Sequence, residues 1–544
     1  MTLAPSDLRA GDWTYLAEFD WAGQTFRLAE ISTKSVPFGL QGANVDFVAG
    51  LDIGSAVGNE LALFADIPAD ETVNATLSLA ALADVPILLQ DGHTPLGAEL
   101  RIYHHPIGSG KRRQVFRGIV QQYEYADKAS PLSITARQSL ADDVGSIHAP
   151  EMRFGERSLG PHNVTWEWDE QQAESWFPVV IGKPGSGGAS LDADDHFYGS
   201  PAFGATLNSG PTAYACAAGH PTGGGSVFAA NISNGQTVSA TMTQLTAVNG
   251  LNFAAADISG FTSPHWDDGD EIWLDWGDSG GGLVDAEGNL VRHAGAVLLW
   301  LARLAENVAL DLIRLETVAP QLRSFLIDTS IVPEPGETIE PWLWAEEHLL
   351  PILPVSPTRG PEGMYLVTWR PDATAKDAVV TIKTGTGGNA ARASDVESST
   401  LKGIANEFVI EYAVDARTDK PTKRLTLTGD PVELANNDDA VQDMHCWRSF
   451  EMFGRRVADP IKTDVVWQDD TALAVLQWHA RRYALPSEVV TFRCKPELAW
   501  VEPGQVATVT DKDIGLTSRV ALIEVANIQG NGDVLLQVRL YATG

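Results

Sequence analysis

The sequence predicts a mainly β fold with a few helices, spread over several domains, and three observations carry that expectation. Short runs that alternate apolar and polar residues between turn signals recur near both ends of the chain, as in Leu100–Ala136 and Val534–Leu540. A region from about 185 to 295 is rich in Gly, Ala, Ser and Thr yet keeps returning to aromatic and β-branched residues, so it reads as a folded β-insertion and not as a linker. Only Ala296 to Val318 has the three-and-four spacing of a long amphipathic helix. At 544 residues the chain is too long for one core, and 44% hydrophobic residues exclude wholesale disorder.

Taken in order, residues 1–184 form a first β-domain, in which Val115–Val120 and Leu132–Ala136 are strands and Gly108-Ser-Gly-Lys111 is a hairpin tip. Residues 185–295 form the inserted β-domain, with strands at Thr237–Thr241 and Glu271–Asp275. Residues 296–360 are a helical connector. Val297, Leu301, Leu304, Val308, Leu312 and Leu315 make its apolar stripe, Arg303, Asn307, Asp311 and Arg314 lie opposite, and Pro320 stops or kinks the helix. A Pro-rich stretch at 351, 354, 357 and 361 leads into a second β-domain, 361–544. There a short helix, 471–484, carries Asp469 and Asp470 at its start, with Leu473, Leu476, Ala480 and Tyr483 on one face and Gln477, Arg481 and Arg482 facing away. Pro486 ends it. Val489–Phe492 is then a strand, Glu502-Pro-Gly-Gln505 a turn needing positive φ at Gly504, and Val506–Thr510 the returning strand.

That order of helix, strand, proline-glycine turn, strand and closing hairpin resembles the C-terminal β-domain of tail-tip hub (baseplate hub) proteins of long-tailed bacteriophages and gene transfer agents. Glu340-Pro-Trp-Leu-Trp344 leading into His348-Leu-Leu-Pro-Ile-Leu-Pro354 is similar to the linker before that domain, and Val115–Val120 with Leu132–Ala136 is similar to their first β-domain. The resemblance covers about two thirds of the chain and leaves out 185–295. It implies two hub-type β-barrels per chain and a non-enzymatic homotrimer whose six similar units close or extend a tail tube at the virion's tail tip. It also implies a distal tail protein, a tape-measure protein and tail fibre or tip proteins as neighbours, no cofactor, and DNA passing through without specific binding.

Charge agrees with that last point. The 38 Lys and Arg against 71 Asp and Glu leave a net charge of −33, which disfavours tracking along a phosphate backbone. The N-terminus, Met1 to Ala10, lacks the charged start and apolar run of a secretory signal, and no stretch has the apolar length of a membrane span, so synthesis in a host cytoplasm is expected. Cys216, Cys446 and Cys494 have neither zinc-site nor disulfide-framework spacing and read as incidental buried thiols.

Several segments carry candidate chemistry. Gly277-Asp-Ser-Gly-Gly-Gly-Leu-Val284 looks like the nucleophile segment of chymotrypsin-like serine proteases, which would make Ser279 the nucleophile, Gly277 an oxyanion donor, and His148, His162, His196, His220 or His265 the base. None of these histidines has the family's sequence context, and a turn followed by a hairpin around Ala286–Asn289 accounts for the segment. Asp192-Ala-Asp-Asp195 and Asp267-Asp-Gly-Asp-Glu271 read as solvated acidic loops. Neither follows EF-hand order, and the second, with Asp267, Asp268, Asp270 and Glu271 crowding one turn, is the candidate calcium site. His104 and His105, adjacent on a strand, point to opposite faces and cannot simply share a metal. Lys111-Arg-Arg113 reads as a solvated hairpin tip. Trp166, Trp168, Trp176, Trp266, Trp273 and Trp276 are dense enough for a carbohydrate-binding or hydrolytic face, although burial in β-cores is their default.

Overall fold

The computed structural model describes residues 13–30, 33–38, 43–53, 57–60, 71–77, 88–89, 91–106, 112–125, 131–138, 145–148, 166–168, 175–186, 198–207, 212–246, 252–277, 281–306, 310–333, 337–360, 363–370, 373–399, 401–529 and 533–541. The chain is mainly β, as the sequence predicts.

The first β-module is a nine-stranded sheet whose central path runs Gln24–Ala29, Trp13–Trp21, Glu99–Pro106, Arg113–Glu124, Leu132–Gln138 and Glu71–Leu77. Its closure comes from one bent stretch. Ala43–Ala49 pairs in parallel with Gln24–Ala29, and after Gly50 the same chain pairs antiparallel, as Leu51–Ile53, with Glu71–Leu77. One segment thus joins opposite ends of the path and curls the sheet toward a barrel. Alternation selects the faces: Phe19, Leu28, Leu100, Ile102, Phe116, Val120 and Ile134 are at most 2% exposed, while Arg117, Ile119 and Gln121 point out.

The inserted region closes completely. Strands Ser200–Leu207, Ala213–Ala218, Asn252–Asp257, Gln236–Thr246, Ser226–Asn231 and Ile272–Asp275 pair in that order, all antiparallel, and the last pairs back to the first. A six-stranded barrel has a narrow lumen, because barrel diameter grows with strand number. The sequence meets that limit with alanine: Ala202, Ala213, Ala215, Ala229, Ala240, Ala254 and Ala256 are at most 2% exposed. Trp266 lies against Gly204, where an added Cβ would strike the indole ring.

The connector departs from the expected single helix. Helix Ala294–Leu304 ends in extended backbone at Ala305, and a second helix, Leu312–Val318, starts at Asp311, whose carboxylate accepts the Arg314 N–H at 3.1 Å. Between them the chain leaves the helical path so that Leu310 bridges to Met364 and Asp311 N donates to the Met364 carbonyl. Pro320 sits in a 3-10 turn, Ala319–Leu322, beyond the second helix. Strands Glu407–Asp415 and Lys420–Thr428 with helix Asp469–Tyr483 bury their apolar faces in the same core as the connector.

In that last helix Asp469 and Asp470 occupy the first turn, where they complement the helix dipole, and Gln468 holds the cap position without a side-chain cap bond. Arg482, expected to face solvent, is instead buried. Its guanidinium lies 5.3 Å from the centre of the Trp369 ring and 3.7 Å from the Glu524 carboxylate, which Arg539 also binds. Burial pulls Arg482 down to about 10, so it remains charged.

The second terminal β-module orders Val380–Lys383, Val506–Asp511, Leu516–Ile528, Val534–Leu540, Glu488–Cys494 and Ala390–Arg392. Its two edges meet at a turn in which Asn389 N donates to the Lys383 carbonyl and Asn389 Oδ1 accepts from Lys383 N, so this sheet also curls. One expectation changes here. The chain after Glu488–Cys494 makes a 3-10 turn, Pro496–Leu498, and the expected returning strand, Val506–Asp511, pairs with Val380–Lys383 and Leu516–Ile528 instead of returning along Glu488–Cys494. Gly504 does adopt φ +84°, its N–H bonds the Ile523 carbonyl at 2.8 Å, and its Cα faces Val367.

Two predictions follow from these packing limits. Ala256→Leu should overpack the inserted barrel and cost about 1–3 kcal/mol, read as a lower melting temperature for that module. Gly504→Val combines a forbidden φ with a collision against Val367, and should lose at least about 2 kcal/mol. Exchange protection should then fall in strands 506–511 and 516–528 but not in the barrel. Wild-type protection in those strands would show that the turn tolerates a side chain.

Candidate functional site

The three parts of the chain outside the inserted barrel meet at one carboxylate. Glu502 of the second β-module binds Arg113 of the first at 2.9 Å, and takes two bonds from Arg314 of the connector at 2.9 and 3.1 Å. Arg113 also donates to the Ala499 carbonyl, and Arg314 is held by Asp311 at 3.1 Å while its guanidinium lies 4.2 Å from the centre of the Tyr365 ring. Burial, with Glu502 adding to it, pushes the Tyr365 phenol well above its usual range. Arg113 therefore is not part of a solvated tip: its side chain is 11% exposed, and Glu502 is 14% exposed. Arg112 beside it lies over the Tyr103 ring at 5.3 Å, and Lys111 falls outside the described residues.

Around this junction the two terminal β-modules share one hydrophobic core, running from Phe19, Ile102 and Phe116 to Phe492, Ile523 and Val538. Val57–Glu60 of the first module extends the second module's sheet by pairing antiparallel with Val525–Ile528. Glu502→Ala would leave two guanidiniums without their carboxylate and should destabilise the chain by about 3 kcal/mol. Chemical denaturation of the wild type and of the variant measures the loss, and an unchanged midpoint would mean the junction carries no stability.

A second polar cluster roots the inserted barrel. Asp275, fully buried, accepts from Ser186 N and Ser186 Oγ at 2.9 Å and from Gly277 N at 2.7 Å. Asp328, also fully buried, accepts two bonds from Arg292 at 2.6 and 2.7 Å and one from Lys183 N at 2.7 Å. Backbone donors into buried carboxylates tie the crossing chains here, which is structural chemistry.

The protease-like segment shares this root. Gly277 N–H is bonded to Asp275, and Ser279, His162 and His196 lie outside the described residues. His220 has both ring nitrogens engaged, His265 Nδ1 bonds the Phe261 carbonyl at 2.8 Å, and the buried His148 ring packs 5.5 Å from Trp176. The segment after it forms the expected hairpin: Val284 bridges Leu290, and Asp285 N donates to the Asn289 carbonyl.

The remaining candidates separate in space or are already bonded. Asp270 accepts from Asn231 Nδ2 and Asp267 N, Glu271 accepts from Trp273 Nε1, and Asp267 and Asp268 are exposed. Among the described residues no group of three or more His, Cys, Asp or Glu is placed to hold a metal. Asp192, Asp194 and Asp195 lie outside the described residues. His104 and His105 are both buried, and burial, with Arg113 and His105 adding to it, pulls His104 down to about 3. Trp176 and Trp276 are buried, Trp266 and Trp273 are half-buried, and the side chains of Trp166 and Trp168 fall outside the description. The three cysteines are buried and free, with burial raising each thiol. No described helix is long and apolar enough to cross a membrane.

No family model and no curated protein matches this chain. Among solved structures it is similar to the tail protein from Neisseria meningitidis MC58, at 11% identity over 97% of each chain and a TM-score of 0.35. It is also similar to the 43 kDa tail protein of prophage MuSo2 from Shewanella oneidensis, at 11% identity over 96% of this chain and 98% of that one, with a TM-score of 0.35. A third is prophage tail protein gp18 from Listeria monocytogenes EGD-e, at 7% identity over 97% and 94% of the two chains and a TM-score of 0.33. Superpositions this loose carry no argument about the present chain.

Proposed function

We propose that the chain is a non-enzymatic structural protein of a phage-type tail, acting as a tail-tip hub. The observation that supports this best is the pairing of the two terminal β-modules, which carry the sequence resemblance, on one shared core around Glu502. Two like modules per chain give six in a trimer, the number needed to match a hexameric tube. A ring of curled sheets also hides strand edges that would otherwise invite aggregation. The inserted barrel, built on its own core, then lies where an insertion disturbs the ring least and can reach neighbouring tip proteins or the host surface. In this reading the distal tail protein, tape-measure protein and fibre or tip proteins are its neighbours in the virion, and the −33 charge keeps passing DNA from sticking to the wall.

The mass of the purified chain in solution, followed by electron microscopy of the particle, tests the reading. A trimer with a central channel lined by more acidic than basic side chains is expected. A monomer that persists at high concentration with its tail neighbours supplied would overturn it. The non-enzymatic part has its own test: Ser279→Ala should assemble like wild type, and a serine-directed covalent probe should leave wild-type Ser279 unlabelled. Stoichiometric labelling there would revive a hydrolase.

A further inference from the structure

The root of the inserted barrel holds an imidazole whose two nitrogens face opposite hydrogen-bonding roles. Nε2 of His220 accepts the Val180 N–H at 3.0 Å, and Nδ1 lies 3.0 Å from the Pro221 carbonyl. A carbonyl can only accept, so the proton sits on Nδ1 and the ring is held neutral in one tautomer. Val180 belongs to strand Val179–Ile181, which pairs with Thr329–Ile331 of the connector, whereas His220 follows barrel strand Ala213–Ala218. The bond therefore links the barrel to the body of the molecule.

We propose that His220 is an acid-sensitive latch between the inserted barrel and the connector. A second proton on the ring would turn the acceptor at Nε2 into a donor facing the Val180 N–H, and two donors repel. Strand Val179–Ile181 then loses its His220 bond to the barrel side, and the root keeps the Asp275 and Asp328 bonds together with backbone bonds from Gly219 N to the Pro178 carbonyl, Trp276 N to the Pro184 carbonyl and Gly282 N to the Gly182 carbonyl. The elements packed here offer little compensation. Strand Val179–Ile181 and barrel strand Ala213–Ala218 carry no charged side chain. Asp328, next to Thr329–Ile331, is already bonded to Arg292 and Lys183 N, and Asp275 to Ser186 and Gly277. The titratable group that acts on His220 from the adjoining segment 145–148 is His148, a like charge when protonated.

Burial lowers both His220 and His148 to about 4. The sign follows from the unfolded value near 6.5: the stabilisation is fully present above that pH and is lost as pH falls toward the folded value. The test is hydrogen exchange on the full chain at about pH 7 and about pH 4, comparing wild type with His220→Gln so that the intrinsic pH dependence of exchange cancels. Glutamine can accept from Val180 and donate to Pro221 without titrating. At the lower pH the peptide covering Val179–Ile181 should exchange about tenfold faster in wild type than in the variant, while barrel strand Ser226–Asn231 stays protected in both. Equal exchange of Val179–Ile181 in the two proteins would overturn the latch and assign any loss to His148 or to general acid unfolding. Should His220→Gln fail to fold, His148→Gln decides against wild type at the same two pH values: root exchange at the lower pH as fast as in wild type, with an intact barrel, supports the latch, and a root that stays protected in His148→Gln, or simultaneous loss across root and barrel, overturns it.

Discussion

The molecule depends on keeping chain segments hundreds of residues apart in one core, and Glu502 is where that constraint is most concentrated. One carboxylate answers two guanidiniums from two other parts of the chain, in a place where the side chains of Arg113 and Glu502 are mostly removed from water. A buried charge without its partner is costly, so the three parts cannot separate without exposing or orphaning charge. The apolar surface does the larger share of the work of holding the modules together, since burial scales with area and this core runs through both sheets. What the ionic junction adds is register: bidentate arginine geometry accepts one alignment of the modules and penalises neighbouring ones.

The barrels show how the sequence allots space. In the first module large aromatic and branched residues fill the interior, because the curled sheet is wide and a second sheet packs against it. The inserted barrel has six strands and no such partner inside it, so its interior residues shrink to alanine. Runs such as Ala213, Ala215 and Ala217, or Ala254 and Ala256, have strand periodicity with the smallest side chain that still blocks water. The same composition that makes the region read as compositionally biased is what a narrow closed barrel requires.

Much of the local structure was legible in the sequence. Strands near Val115, Leu132 and Val534, the helix ending at Tyr483 and the positive φ of Gly504 all follow from patterns spanning a few residues. The failures share one cause, which is that distant contacts decided them. The apolar stripe runs on through Leu304, Val308 and Leu312, and no local signal marks the break imposed by pairing with Met364. Arg113 and Arg482 look like solvent residues until Glu502 and Glu524 arrive from elsewhere in the chain. Closure of the inserted barrel was also out of reach, since it rests on Ser200–Ala202 meeting Ile272–Leu274, although alternating alanines would have signalled a narrow β interior.

These two kinds of contact give the molecule an internal division. The terminal modules are joined by a continuous apolar core and by charge-assisted bonds from two arginines to one carboxylate. The inserted barrel has a separate core, and its polar ties to the rest include backbone bonds, Asp275 accepting from Ser186 and Gly277, the bidentate Arg292–Asp328 pair, and one neutral imidazole. An imidazole changes charge between acid and neutral pH, so His220 is the tie at the root whose strength the medium can alter. Both joints contain arginine–carboxylate pairs, and what distinguishes the root is the one imidazole, His220, that can gain a proton there.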